Sequence, residues 1–132
     1  MKKVYALMTL VTLSLALNSC GDDWEYYNSD LLGTWEKVSV IENGREYDLL
    51  AGEYEEYTFY DNGTGVYRNE FGTRVGFDWY ERGYRKVEML FDDGLNEYLY
   101  YEFEGNYLIL YEDSSRRDGR VFRYAGRSGR YY

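Results

Sequence analysis

Leu32-Gly33-Thr34-Trp35, continued by Glu36-Lys37-Val38-Ser39-Val40-Ile41, is the stretch that decides the fold. Its period-two patterning predicts a strand from about Gly33 to Ile41. Gly33 carries no Cβ, so neighbouring backbone can approach it closely. Trp35 can then turn inward and plug one end of a small antiparallel barrel.

Working outward, the chain offers one hairpin signal after another. Asn43-Gly44 is the strongest short turn signal available to a hairpin, and Glu46 to Leu50 returns from it. Ala51 to Glu55 is the least regular segment, read as one helical turn or as a lid over a barrel mouth. Glu56 to Tyr60 is a strand with Tyr57 and Phe59 on its inner face, and Asp61-Asn62-Gly63-Thr64-Gly65 is its turn. That turn lacks the further ligands and terminal glutamate of a calcium loop. Val66 to Glu70 goes back. Val75, Phe77 and Trp79 then share one face of a strand, Val87, Met89 and Phe91 one face of the next, and Leu99, Tyr101 and Phe103 one face of the longest. From Tyr107 to Glu112 the phase is ambiguous, because Leu108 and Leu110 compete with Tyr107, Ile109 and Tyr111. Arg120 to Ala125 is the last strand. With no helical periodicity in this region, the fold class is all-β: a small antiparallel up-and-down barrel of about eight strands. An open sandwich of the same hairpins is the alternative.

The N-terminal segment reads differently. Lys2 and Lys3 precede a largely apolar run from Val4 to Leu17, too short to span a bilayer, which takes roughly 20 residues. Residues 1–19 are therefore expected to be a cleaved signal peptide. Leu17-Asn18-Ser19-Cys20 resembles a bacterial lipobox, which makes Cys20, the single cysteine, the expected lipidation site. Lipid there leaves no thiol for disulfide or redox chemistry. Residues 20–30 are expected to be an acidic tether, and 31–132 the barrel domain. Gly21-Asp22-Asp23-Trp24-Glu25 behind the cysteine resembles a surface-export signal. The expected location is the outer membrane, lipid-anchored, with exposure at the cell surface as the favoured orientation.

Gly33-Thr34-Trp35 together with the hairpin from Tyr57 to Tyr67, through Asp61-Asn62-Gly63-Thr64-Gly65, resembles the lipocalin-like domain of lipoproteins from Bacteroidetes-type bacteria. The resemblance covers roughly residues 31 to 125. It implies a closed barrel that takes a small ligand, with an arginine of the last strand stacked over the first-strand Trp. Arg123 is the candidate for that role, and with Gly33 and Trp35 it would form the barrel base; Arg120 and Arg127 lie nearby. Lipocalins also carry a long helix after the barrel, where this sequence continues only as 126–132.

Composition narrows the function. The chain has 18 tyrosines and no proline, which suits half-buried pleated surfaces with every backbone N–H free to pair. It has no histidine, so histidine-based triads and histidine zinc sites are excluded. The 24 acidic side chains sit mainly at outward phases or in turns, which predicts no convergent carboxylate pair. No Gly-rich loop opens a helix. The protein is read as non-enzymatic, with no cofactor and no metal. A net charge of −9 argues against nucleic acid as a partner, since phosphate binding needs a basic footprint.

Binding is left as the function. Tyr57, Phe59, Phe77, Trp79, Met89, Phe91 and Tyr101 are the candidates to line a ligand cavity, and equally the candidates to form a closed core. Tyr98 and Tyr100, on the opposite phase, are the candidates for an exposed aromatic platform or for cross-strand pairing. The C-terminal arginines, from Arg116 onward, are set against a strongly acidic body. They are expected to meet Glu36 and neighbouring acids across the barrel seam, with Arg116 and Arg117 left free for an anion. The leading expectation is a small apolar or aromatic ligand. The alternative is a filled barrel that docks a glycan or another envelope protein.

Overall fold

Asn43 and Gly44 both take positive φ, 52° and 79°, the backbone of a two-residue hairpin turn whose twist matches its strands. That turn joins the first two of nine strands in a computed structural model of the protein, which describes residues 29–126. The signal peptide, Cys20, most of the tether and Arg127 lie outside the described residues. The strands are β1 (Gly33–Glu42), β2 (Arg45–Asp48), β3 (Glu55–Phe59), β4 (Thr64–Asn69), β5 (Arg74–Glu81), β6 (Lys86–Phe91), β7 (Asn96–Glu104), β8 (Tyr107–Tyr111) and β9 (Gly119–Tyr124). No helix occurs among the described residues; Ala51 and Gly52 form a turn in place of a helical one, and Glu55 already belongs to β3.

Every pairing is antiparallel, and from β3 to β9 each strand pairs with the next. The sheet closes because β9 returns to β1, with Trp35 opposite Tyr124 and Ile41 opposite Gly119. β1 has two partners on its other edge: β3 along Gly33–Glu36 and β2 along Ser39–Glu42. The protein is thus an eight-stranded closed barrel, β1 and β3–β9, plus one short strand that continues the β1 edge. Closure removes the unpaired edges that such short strands would otherwise expose.

One irregularity marks the seam. Lys37 pairs with Phe122 and Ser39 with Val121, so Val38 is an extra residue on β1, a bulge that sharpens the local bend. Val38 joins a small cluster with Ile41, Ile109, Tyr111 and Val121. Since Leu108, Leu110 and Phe122 belong to the main core, alternation puts this second cluster on the outer face. β8 is therefore apolar on both sides, with Leu108 and Leu110 inward.

The two barrel ends differ. At one, Trp35 is buried and its indole N–H donates to the Leu31 carbonyl at 2.8 Å, and Leu31 is fully buried beneath the strand entrance. Gly33, between them, takes a φ of 115° that a residue with a Cβ would adopt only under strain. Phe103 and Tyr124 pack on the Trp35 ring, at centroid distances of 5.7 and 5.2 Å. Arg123, the sequence candidate for covering Trp35, instead faces outward and donates to Glu36. The last strand alternates Arg120, Phe122 and Tyr124 inward, so an aromatic ring, and not a guanidinium, reaches the indole. Above this base Phe59, Trp79, Met89, Val87 and Phe122 are fully buried and fill the barrel. The other end, ringed by the connections at 49–54, 70–73, 92–95 and 112–118, is open.

Candidate functional site

The inner faces run from polar to apolar along the barrel axis. On β3 the inward residues are Glu55, Tyr57 and Phe59; on β7 Glu97, Leu99, Tyr101 and Phe103; on β9 Arg120, Phe122 and Tyr124. In each case the charged member lies at the open end, because two residues per repeat carry the same face toward the base. Where these three strands meet β4, β5 and β6, a cavity of about 260 Å³ opens, with Tyr57, Tyr67, Val75, Phe91, Glu55, Glu97 and Arg120 among its walls.

Arg120 organises the floor. Its Nη1 donates to Glu55 Oε1 and to the Tyr57 hydroxyl, both at 2.9 Å. Its guanidinium lies 5.5 Å from the Tyr57 ring centroid. Tyr57 donates in turn to Glu97 Oε1 at 3.0 Å, and Tyr67 donates to Glu55 Oε2 at 2.8 Å. Lys37, inward from β1, stands 3.2 Å from Glu55 Oε1. Two cations and two carboxylates therefore balance within one half-buried cluster. Glu97 Oε2 and Arg120 Nη2 are 3.7 Å apart, an ion pair too long for a hydrogen bond. Arg120 Nε and Nη2 are buried and have no hydrogen-bond partner among the described residues.

The electrostatics follow from this packing. Burial pushes the Glu55 carboxyl upward, but Arg120, the Tyr67 hydroxyl and Lys37 together overcome it and hold Glu55 below its ordinary range. Burial raises the Tyr57 phenol above its usual value, against the pull of Arg120. Tyr67 is raised too, by burial and by its bond to Glu55. Both phenols stay protonated and remain donors at neutral pH. No three acidic side chains converge among the described residues as a metal site would require.

The cavity draws on two of the sequence candidates. Tyr57 and Phe91 line it. Phe59, Phe77, Trp79 and Met89 do not: they are packed in the core, with Trp79 edge-on to Phe59 at 5.3 Å and bonded through its indole N–H to the Tyr60 and Thr64 carbonyls. Tyr101 lies nearer the closed end, where its hydroxyl donates to Glu81 and Arg85 sits 5.5 Å from its ring. Tyr98 and Tyr100 are outward neighbours, 6.2 Å apart, with Tyr98 exposed. Arg116 is paired with Glu102 and so is not free.

Sequence reasoning overlooked Glu55, Tyr67, Glu97, Arg120 and Lys37 as members of one site. On the sequence the acids read as lying mainly at outward phases or in turns. Glu55 and Arg120 each stand two positions before an inward aromatic, Glu97 two before Leu99, and that spacing was the available signal. Compared with protein-family models, with curated proteins and with solved structures, the chain finds no match.

Proposed function

We propose that this protein is a lipid-anchored outer-membrane lipoprotein whose lipocalin-like barrel binds a small ligand with an apolar or aromatic body at its open end. The observation that carries the binding reading is the open-end cavity, which joins aromatic walls to a guanidinium whose Nε and Nη2 have no hydrogen-bond partner among the described residues. Most ligand sites are concave and largely apolar, with a few placed polar groups. An unpaired buried donor is costly unless something accepts from it. The anchor rests on the leader and Cys20, and the lipocalin-like assignment on Gly33-Thr34-Trp35 and the Tyr57–Tyr67 hairpin.

A thermal-shift screen of the purified full chain against aromatic and aliphatic compounds tests the binding reading, because a ligand of the native state raises the midpoint. Val75→Trp, which plugs the cavity from β5 without touching the buried core, should abolish any rise. A rise that survives the plug would place binding elsewhere. Metabolic labelling with a palmitate analogue tests the anchor: label and membrane fractionation should both be lost in Cys20→Ser.

A second reading has its own observation. The barrel is filled over most of its length by Phe59, Phe77, Trp79 and Met89, and Tyr98 is exposed on the outside. A filled barrel of this kind suits docking to a glycan or envelope protein. No rise with any small molecule, alongside a partner lost in Tyr98→Ala, would move the assignment there.

A further inference from the structure

The charge balance at the cavity floor specifies what a ligand must carry. This step rests on the open-end cavity reading above and names the chemistry it selects. Nε–H and Nη2–H of a guanidinium point the same way, as the two prongs of a fork. In Arg120 this fork makes no hydrogen bond among the described residues, with only the 3.7 Å ion pair from Nη2 to Glu97, while Nη1 is fully used by Glu55 and Tyr57. A fork of this shape ordinarily receives a carboxylate. Here, however, Arg120 and Lys37 are already matched by Glu55 and Glu97, and Asp93 adds a further acid at the cavity wall. A ligand anion would set three or more carboxylates against two cations in a half-buried site. It would also approach a body of net charge −9. A ligand cation would face Arg120 across 3.7 Å of the Glu97 contact and leave the fork unfilled.

A neutral hydroxyl meets both demands. Arg120 Nε and Nη2 are sealed from solvent, so a hydroxyl reaches them only when Glu97 swings out of its 3.7 Å contact with Nη2; its oxygen can then accept from the Arg120 fork and donate to Glu97 Oε2. Glu97 is the adjustable partner: its side chain is 34 % exposed, whereas that of Arg120 is 13 % exposed. The ring bearing that hydroxyl would lie among Tyr57, Tyr67 and Phe91, which are already in edge and tilted contact with one another. The cavity, about 260 Å³ and open to solvent at the barrel end, suits a single ring with a short substituent. We infer that the open-end cavity selects small, uncharged aromatic alcohols or phenols, with Arg120 and Glu97 as the specificity-determining pair.

Four probes of one shape test this on the purified full chain: benzyl alcohol, toluene, benzoate and benzylamine. Ligand titrations followed by NMR, with the Arg120 Nε–H resonance as reporter, give affinity and position together. Benzyl alcohol should bind at least about tenfold more tightly than the other three and should shift the Arg120 resonance. Glu97→Gln keeps an acceptor for Tyr57 but removes one of the two carboxylates that balance Arg120 and Lys37. In that variant the preference should turn toward benzoate. Tightest binding of toluene, benzoate or benzylamine to the unaltered protein would overturn the hydroxyl inference while leaving the cavity as a binding site. An unchanged ranking in Glu97→Gln would remove Glu97 from the specificity pair and overturn it too. If no probe binds, the open-end cavity reading fails, and the inference with it.

Discussion

The Trp35 indole N–H donates to the Leu31 carbonyl at 2.8 Å, so the residue that plugs the barrel also fastens the chain segment entering it. Two contributions meet at one side chain: the ring packs on Phe103 and Tyr124, and the N–H satisfies a buried carbonyl. Trp35→Phe removes the bond and part of the packing, while Trp35→Ala removes both. The first should cost about 1–2 kcal/mol and the second about 3–5 kcal/mol. For a domain of this size the melting midpoint should fall by about 4–8 °C per kcal/mol. Equal losses in the two variants, measured by circular dichroism, would show that the hydrogen bond and not the ring holds the base.

Arg123 and Glu36 meet across the seam that closes the barrel, with both the Arg123 Nε and Nη2 donating to one carboxylate oxygen. The contact is mostly solvated, since the Arg123 side chain is 61 % exposed. Exposed pairs contribute about 0–1 kcal/mol and weaken with salt. Arg123→Ala should therefore change stability by less than about 1 kcal/mol, and the difference should shrink further in high salt. A larger, salt-independent loss in denaturant titration would mean that Arg123 supports the Trp35 base after all.

Gly65 and Gly72 are both intolerant of a side chain, for opposite reasons. A Cβ on Gly65 would fall against the Phe77 ring and 2.5 Å from the Thr58 carbonyl, with backbone on one side and core on the other. Gly72 has open space around it but a φ of 84°. Gly65→Ala should cost about 3 kcal/mol or more through overpacking, and Gly72→Ala about 1 kcal/mol through backbone strain. Asparagine at each position separates the causes. Gly72→Asn, whose side chain tolerates the left-handed region, should recover most of the loss, while Gly65→Asn should be worse than alanine.

These contrasts also show what the chain discloses in advance. Strands with one wet face are legible: Val75, Phe77 and Trp79 alternate against Arg74, Asp78 and Tyr80, and the barrel follows from such hairpins in series. β8 is not, because Tyr107-Leu108-Ile109-Leu110-Tyr111 buries Leu108 inside and Ile109 outside, so both phases look like a core. The Val38 bulge leaves no mark either, since Val38 and Val40 keep the alternation that the extra residue breaks. At the site, period two carries Arg120 inward with Phe122, but a charge on an inner phase becomes meaningful only once Glu55, Glu97 and Lys37, distant in sequence, are seen to balance it. The one-residue step from Arg123 to Tyr124 decides which side chain meets Trp35, and nothing local to β9 sets that phase.

The same cluster gives the protein its expected pH response. Glu55 is held below the ordinary glutamate value of 4.5, against the upward push of burial, by Arg120, Tyr67 and Lys37. A lowered carboxyl binds fewer protons folded than unfolded, so its stabilisation is complete above about pH 4.5 and is lost as pH falls through the folded value. Glu55→Gln should cost about 3 kcal/mol at neutral pH, because it leaves buried cations short of a partner. Its melting midpoint should then converge on that of the unaltered protein as both are titrated downward from pH 4.5. Tyr57 and Tyr67 act at the other limit. Their phenols are raised from the ordinary 10.0, so the stabilisation they give is full below pH 10 and is lost as pH climbs toward their folded values. Tyr67→Phe should blunt that alkaline loss and leave the acid limb unaltered in direction. A constant gap between Glu55→Gln and the unaltered protein across the acid range would show that Glu55 does not carry the charge the cluster needs, and would remove the charge balance on which the selection of an uncharged ligand depends.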